Sequence, residues 1–448
     1  MKKELLILIL LAYLLPLFSQ KKWDLQECIN YALDNNLLLK TQELSTLMAK
    51  NEYHGSKFHF LPSINTKYGH QLSYGRSLNL EKYEWETSDK QQGSFVLQVE
   101  FDLLNSFKNY NNIKRTPYYL KSEQAILEKE RGNISMEVIS SYLEILLAQE
   151  KYNLAKGQLE LIRIQEERTE EKIKAGIIAH GEIYEIRAQV SYESAKLVEA
   201  KNRLRIGHIN LAHLLNIKYL ENFEIQRLSD LNIDNFDIYP IDSIFQIARG
   251  IMPAVKEADY KIKAAKKELS ITRGKRYPDV SILYSYSTRY IQNALNPLDP
   301  DPLQPSLDYL YLDQITNNQY KQIAISLSIP VFNKFQVEKK IEKKKIIVKK
   351  EILNRQEVLQ DLYGNIQLAV ANAFKARASY HTGLGSVARY QEAGNYSREK
   401  FNAGLTNSVE YITSKNNMIK ARSELLQAKY NYIFCLKILN YYMGKKIN

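Results

Sequence analysis

The chain is built from two copies of one pattern. Leu61-Pro62-Ser63-Ile64 returns 216 positions later as Tyr277-Pro278-Asp279-Val280. Phe101-Asp102-Leu103-Leu104-Asn105-Ser106-Phe107 returns 228 positions later as Ile329-Pro330-Val331-Phe332-Asn333-Lys334-Phe335. Glu171-Lys172-Ile173-Lys174-Ala175-Gly176 returns at the same 228-residue offset as Glu399-Lys400-Phe401-Asn402-Ala403-Gly404. The step from 216 to 228 places one 12-residue insertion in the second copy, between its strands. A tandem duplication of this length predicts two similar halves, residues 21–235 and 236–448, in one body.

Residues 1–20 read as a secretory signal. Lys2 and Lys3 precede the apolar stretch Leu5–Leu15, and Phe18-Ser19-Gln20 forms the cleavage neighbourhood. The stretch is too short to span a bilayer as a helix, and no longer apolar run follows, so helical membrane spans are excluded. No lipobox-type Cys follows the signal; Cys28 falls in an amphipathic segment. Cys28 and Cys435 are too few for a disulfide scaffold and read as two small buried hydrophobes rather than a pair. The net charge of +12 invites a nucleic-acid reading. The export signal, the spread of charge along helix faces and the lack of any nucleic-acid-binding motif argue against one.

Each half reads helix, strand, loop, strand, long helix, turn, long helix. Segments 24–58 and 241–275 are helical in period and run into Pro62 and Pro278, where strands begin. Strands are expected at 62–74, 93–104, 278–290 and 321–332. In the first, Ile64, Thr66, Tyr68 and Leu72 oppose Asn65, Lys67, Gly69 and Gln71. In the last, Ile323, Ile325, Leu327 and Ile329 oppose Gln322, Ala324, Ser326 and Ser328. Strict alternation of this kind fits a soluble sheet with one dry face or a barrel with lipid outside and water inside. Strands of about ten residues suffice to cross an outer membrane when tilted, and length, aromatic content and the export signal favour the barrel. Four strands cannot close one, and open edges in lipid leave unpaired backbone at several kcal/mol per group. A spanning chain must therefore oligomerise: two copies give about eight strands, three give about twelve. Residues 75–92 and 291–319 read as exposed loops, the second carrying the proline-rich stretch 296–305.

The long helices carry heptad rows. Val138, Ile145, Tyr152 and Leu159 form one, Ser141, Ala148, Ala155 and Ile162 the next. Ile183, Val190, Leu197, Leu204 and Leu211 are matched by Tyr411, Met418, Leu425, Tyr432 and Leu439. Small residues beside bulky ones permit knobs-into-holes packing. Tyr118–Ala175 would extend about 85 Å at 1.5 Å per residue, as a coiled-coil rod or as part of a helical tube wall.

The signal, the duplicated pattern, the opening Trp23-Asp24-Leu25-Gln26-Glu27-Cys28-Ile29-Asn30-Tyr31-Ala32-Leu33 and the two Ala-Gly turns together resemble the TolC-like outer membrane efflux family, particularly its Bacteroidetes-type members. The resemblance implies a mainly α chain whose antiparallel coiled-coil helices form a periplasmic tunnel. It implies four strands per chain in a 12-stranded homotrimeric barrel in the outer membrane. It also implies a passive exit duct, served by a periplasmic adaptor protein and a proton-driven or ATP-driven inner-membrane pump, with a periplasmic end closed at rest.

On that resemblance the tips are Gly176 to Glu182 and Gly404 to Glu410. Gly176 and Gly404 end helices, where glycine readily takes the left-handed conformation. Glu182 and Glu410 stand where the family usually has Asp, at helix N-termini that favour a carboxylate. Three copies of Glu410 would form a cation-attracting ring. Thr406 and Thr413 stand where some members carry a basic and an acidic residue, so fewer charged contacts are expected to hold the gate; Tyr184 or Phe401 is the apolar candidate. The lysine run, with Lys339, Lys340, Lys343, Lys344 and Lys345, would lie just inside the membrane with lipid phosphates as partners, or form a solvated helix face.

No catalytic constellation is present: His208 and His213 are off the one-face spacing of a helix, and there is no phosphate loop, nucleophile elbow or metal-spaced Cys pair. No enzyme activity, cofactor or metal is expected. The expected function is an efflux duct for small toxic compounds; exit of secreted protein and a structural coiled coil or adhesin stalk are the alternatives.

Overall fold

The computed structural model describes residues 22–79, 83–87, 89–218, 224–227, 239–292, 309–406 and 408–445. The signal segment and the stretch 296–305 lie outside the described residues. The chain divides into two compact units. One comprises Met1–Thr46, Glu123–Ala258 and Arg355–Asn448, the other Leu47–Ser122 and Asp259–Asn354.

The first unit is helical. Its α1 (Leu25–Asn35) starts at a capping box: Glu27 N donates to Asp24 Oδ1 at 2.6 Å and Asp24 N to Glu27 Oε2 at 3.2 Å. That pairing satisfies two of the donors a helix start leaves open. The helix expected to run on to residue 58 stops at Asn36, and α2 (Leu37–Phe58) restarts there because the Asn36 side chain accepts from Leu38 N. The second copy breaks at the equivalent residue: α5 (Ile241–Ile251) ends at Met252, and Pro253 opens α6 (Pro253–Gly274). Proline lacks the N–H that a continuing helix requires but suits a first helical position.

Two long helices each head a hairpin: α3 (Lys108–Lys174) with α4 (Glu182–Leu214), and α8 (Gln336–Asn402) with α9 (Ser408–Tyr442). The start of α3 corrects the sequence expectation, since Pro117 lies inside the helix rather than before it. Beside it the Thr116 hydroxyl donates to Asn112 O at 3.2 Å.

The core of this unit joins Cys28, Ala32 and Leu39 to Val138, Tyr142 and Ile145 of α3, Leu211 and Leu215 at the end of α4, Ile244 and Ala248 of α5, Ile366 and Ala373 of α8, and Tyr432 and Leu439 of α9. Both halves of the sequence therefore share one core. Small residues at 32, 248 and 373 let helices approach closely, and each large side chain buried there contributes roughly 1.5–3 kcal/mol. Leu39→Ala would leave a cavity costing about 2–5 kcal/mol. Cys28 and Cys435 are buried free thiols in this core. Burial, reinforced by Asp24 and Glu27, pushes the Cys28 thiol up to about 12, so it behaves as a hydrophobe and not a nucleophile.

The second unit holds an antiparallel sheet of β1 (Ser63–Ser73), β4 (Lys90–Asn105), β5 (Asp279–Ile291) and β6 (Tyr320–Ser328), in that order. The region 75–92 is not a plain loop: Gly75, at φ +119°, leads into a short hairpin of β2 (Arg76–Asn79) and β3 (Glu84–Thr87), and β4 begins already at Lys90. The region 291–319 contains the short helix α7 (Tyr311–Asn317). The buried Gln314 amide holds α7 to the sheet, accepting from Ile291 N at 2.9 Å and donating to Ile291 O at 3.0 Å. The last strand stops at Ser328 because Pro330 cannot donate to a ladder.

Register makes one face continuous. Ile64 pairs with Val99, Val99 with Tyr284, and Tyr284 with Ile323. On the opposite face Asn65, Gln98, Ser285 and Gln322 line up the same way.

Each β4-type strand turns into its helix through two successive residues in the left-handed region. These are Ser106 and Phe107 in the first copy, Lys334 and Phe335 in the second. None is glycine, so the conformation costs energy that packing must offset. The Ser106 hydroxyl bonds Tyr277 O at 3.0 Å and Asp279 Oδ1, and Gly274 permits the approach, since a Cβ there would stand 2.1 Å from Ser106 O.

Candidate functional site

Two surfaces are candidates for function. The first is the apolar face of the sheet. Ile64, Tyr68, Ile323 and Ile325 are all exposed, Ile323 at 73%. A water-soluble sheet buries such a face against another layer, and a continuous exposed one marks contact with lipid or protein. Two strands, β1 and β6, are edges: each is hydrogen-bonded on one side only among the described residues.

The second surface comprises the two hairpin turns. At the first, Gly176 N donates to Ile173 O at 2.9 Å and Ile177 N to Lys172 O at 2.9 Å, with Gly176 at φ +70°. At the second, Gly404 N donates to Phe401 O at 3.1 Å and Leu405 N to Lys400 O at 2.9 Å, with Gly404 at φ +73°. Both are Schellman caps, which close the open carbonyls of a helix end. Asn216 and Gly444 repeat the arrangement at the far ends of α4 and α9, again 228 residues apart.

Glu182 and Glu410 stand in the first turns of α4 and α9. Glu410 is exposed and accepts a hydrogen bond from Thr406 Oγ1 across the turn. Thr413, in contrast, bonds back to Val409 O at 2.8 Å within its own helix. Thr406 and Glu410 are thus brought together, and Thr413 is not part of that contact. Of the two apolar candidates, Tyr184 is exposed, whereas Phe401 is half-buried and stacks on Tyr411 at 5.1 Å with an interplanar angle of 10°. Lys172 Nζ sits 5.5 Å from the Phe401 ring, linking the two hairpin ends.

A lateral ion cluster joins the first hairpin without any signal in the linear pattern. Arg187 of α4 reaches Glu166 at 3.4 Å and Glu170 at 2.8 Å on α3. The hydrogen bond that the Arg187 guanidinium donates to the Glu170 carboxylate raises the Arg187 pKa further. The spacing 170 to 187 carries no periodic signal, because it depends on how the two helices face one another. Above the second turn, Lys415 is only 8% exposed, and burial lowers its pKa, opposed by Glu193.

Of the lysine run, Lys344 is engaged by Glu268 at 3.1 Å and Lys339 by Glu342 at 3.0 Å. Lys340, Lys343 and Lys345 are exposed. No cluster of three or more metal-ligating side chains occurs among the described residues, and no helix among them is long and apolar enough to cross a membrane.

The model of the outer membrane efflux protein family matches residues 28–216 and 245–444, which is most of both copies. The probable outer membrane lipoprotein SilC of Salmonella typhimurium is 22% identical over 272 residues, covering 58% of this chain and 54% of SilC. The cobalt-zinc-cadmium resistance protein CzcC of Cupriavidus metallidurans is 24% identical over 159 residues, 36% of this chain and 37% of CzcC. The chain thus spans about half or less of the length of these two relatives. Among solved structures, CusC superposes with a TM-score of 0.77 at 17% identity over 96% of both chains. The Campylobacter jejuni CmeC outer membrane channel gives 0.78 at 18% identity, over 94% of this chain and 85% of CmeC. These likenesses are of fold, and they pair with a family match across both repeats. The chain belongs to the outer membrane efflux protein family and is an outer membrane protein with its helical part in the periplasm.

Proposed function

We propose that this chain is the passive exit duct of a tripartite efflux pump for small toxic compounds. It acts as a homotrimer that receives its substrate from a periplasmic adaptor and an inner-membrane pump. The carrying observation is the uncovered apolar sheet face bounded by two single-sided edges. In lipid each unpaired edge group costs several kcal/mol, so β1 of one copy must meet β6 of the next. Three copies of four strands close a 12-stranded barrel with the polar face inward. Each sequence copy supplies two of the strands and one helix hairpin. The name of CzcC, a metal-resistance protein, supports a small solute over a secreted protein as cargo. No chemical step is asked of the chain; the pump supplies the energy.

The gate in this reading lies at the hairpin turns, around Gly176, Glu182, Gly404, Thr406 and Glu410. Three Glu410 carboxylates would ring the narrow end, each oriented by its own Thr406 hydroxyl. Such a ring favours cations over anions.

Light scattering of the purified protein in detergent should give a trimer. A monodisperse, detergent-free monomer with native fold would overturn the duct. In planar bilayers, Glu410→Gln should reduce cation preference, and Thr406→Val should do so more weakly by releasing the carboxylate. Unchanged selectivity in Glu410→Gln would remove this residue from the gate.

A further inference from the structure

The antiparallel register gathers the starts of β1 and β5 and the ends of β4 and β6 at one end of the sheet: Ser63 lies opposite Glu100, Asn105 opposite Asp279, and Asp279 opposite Ser328. Just past that end stands a set of exposed aromatic rings, Phe58, Phe107, Tyr110, Tyr277, Phe332 and Phe335. Two pairs meet edge to face, Phe107 with Tyr277 at 5.4 Å and Phe332 with Phe335 at 5.6 Å. Tyrosine and other aromatic rings collect where hydrocarbon gives way to headgroups, because one end of the ring is apolar and the other polar.

Immediately beyond these rings the helices turn basic. Residues 108–122 contain Lys108, Lys114, Arg115 and Lys121 and no acid. Residues 266–276 carry five basic residues against Glu268 alone, and residues 334–350 carry eight lysines against Glu338 and Glu342. Those few acids are already engaged. Glu268 meets Lys344 at 3.1 Å and Arg115 at 3.5 Å, Glu338 meets Arg276 at 3.4 Å, and Glu342 meets Lys339 at 3.0 Å. Lys108, Lys275, Lys340, Lys343 and Lys345 are exposed and have no acid within 4.0 Å among the described residues. The positive field is felt nearby: Lys114, by hydrogen bond and charge, and Lys267, by charge, lower the Tyr110 pKa.

We propose that this collar binds the anionic headgroups of glycerophospholipids in the periplasmic leaflet, with the aromatic ring set fixing its depth. The inference rests on the barrel reading above, since only a sheet seated in lipid brings the collar to the headgroups. Scale supports it. Lys340 and Lys343 follow Phe335 by one to two helical turns, about 8–12 Å along α8. The headgroup layer beyond the hydrocarbon is about 5–8 Å deep, and lysine side chains are long and reach toward phosphates from either side of it. A juxtamembrane basic cluster attracts anionic lipid over neutral lipid. Of the lysines expected from sequence, Lys339 and Lys344 are taken up by Glu342 and Glu268, so Lys340, Lys343 and Lys345 lead, joined by Lys108 and Lys275 from the other elements.

The test uses the full chain in nanodiscs of phosphatidylcholine containing about one-fifth phosphatidylglycerol, followed by re-extraction and measurement of retained lipid. Wild type should retain phosphatidylglycerol several-fold above its bulk share. Lys340→Gln/Lys343→Gln/Lys345→Gln should lose most of that enrichment while still inserting, and Lys172→Gln/Lys174→Gln at the hairpin tip should keep it. Bulk-share retention by wild type, or equal enrichment in the collar variant, would overturn the proposal. Loss of enrichment in millimolar inorganic phosphate at constant ionic strength would overturn it in favour of a free-phosphate site. Failure of wild type to enter even pure phosphatidylcholine would overturn the barrel reading and the collar with it.

Discussion

The two hairpins have the same backbone and different fastenings. Both turn through a Schellman cap with glycine at φ near +70°, at positions 228 residues apart. Above the first turn, Arg187 ties α4 to Glu166 and Glu170 of α3 in solvent-facing ion pairs. The equivalent positions in the second hairpin are Lys415, Gly394 and Arg398, which cannot make that tie. There the fastening is the Phe401–Tyr411 stack, where the first hairpin has Ile173 and Ile183. Duplication has preserved what the backbone requires and let the lateral contacts diverge. Beside its buried Ile183 and Ile186 the first hairpin thus carries a charged tie, which salt screens, whereas the second carries an aromatic stack, which salt does not weaken.

Phe401→Ala gives the largest expected effect. Losing a half-buried ring and its stack should destabilise the second tip by about 2 kcal/mol, read as faster amide exchange around 399–412. Ile173→Ala in the first hairpin should cost less, and an equal cost would erase the distinction between the two.

Next come Gly176→Val and Gly404→Val. Among the described residues no neighbouring atom lies within 4 Å of a Cβ built at either glycine, so the cost is the left-handed backbone alone, roughly 1–2 kcal/mol. The two losses should match. A clear mismatch would show that the caps are not equivalent.

Arg187→Met should loosen the first tip at low ionic strength, and the difference from wild type should shrink in high salt. Exchange at the second tip should stay unchanged throughout. A salt-independent effect would mean that Arg187 acts through its aliphatic stem.

The smallest effect concerns pH. His208 stands where the second copy has Leu436. Burial lowers its pKa below the ordinary imidazole value, with Glu224 partly opposing. The unfolded chain therefore binds a proton that the folded chain resists, and stability falls as pH drops from about 6.5 toward the lowered folded value. His208→Leu should flatten that acid-side loss in thermal melts. An unchanged slope would assign it to other groups.

Particular residues show what a linear reading could reach. The sheet faces were legible because alternation is a property of neighbours in sequence, and Ile64, Val99, Tyr284 and Ile323 do share one face. Gly176 and Gly404 announced the turns because glycine alone enters the left-handed region without cost. The same conformation at Ser106, Phe107, Lys334 and Phe335 was hidden, since tertiary packing imposes it on residues with no such preference. The break at Met252 had its signal in Pro253, while the one at Asn36 depended on a side chain capping the next helix. Arg187 with Glu170, and Lys344 with Glu268, lie on different helices, and only the facing of those helices makes them partners.

The ladder between β4 and β5 runs from Gln92 opposite Ile291 to Asn105 opposite Asp279, and it joins a strand of one copy to a strand of the other. The halves are thus stitched by main-chain bonds that do not pass through the covalent link between α4 and α5. Cleaving that link in the native protein should leave two fragments that migrate together until denatured, whereas either fragment synthesised alone would present a raw sheet margin where its sister belongs.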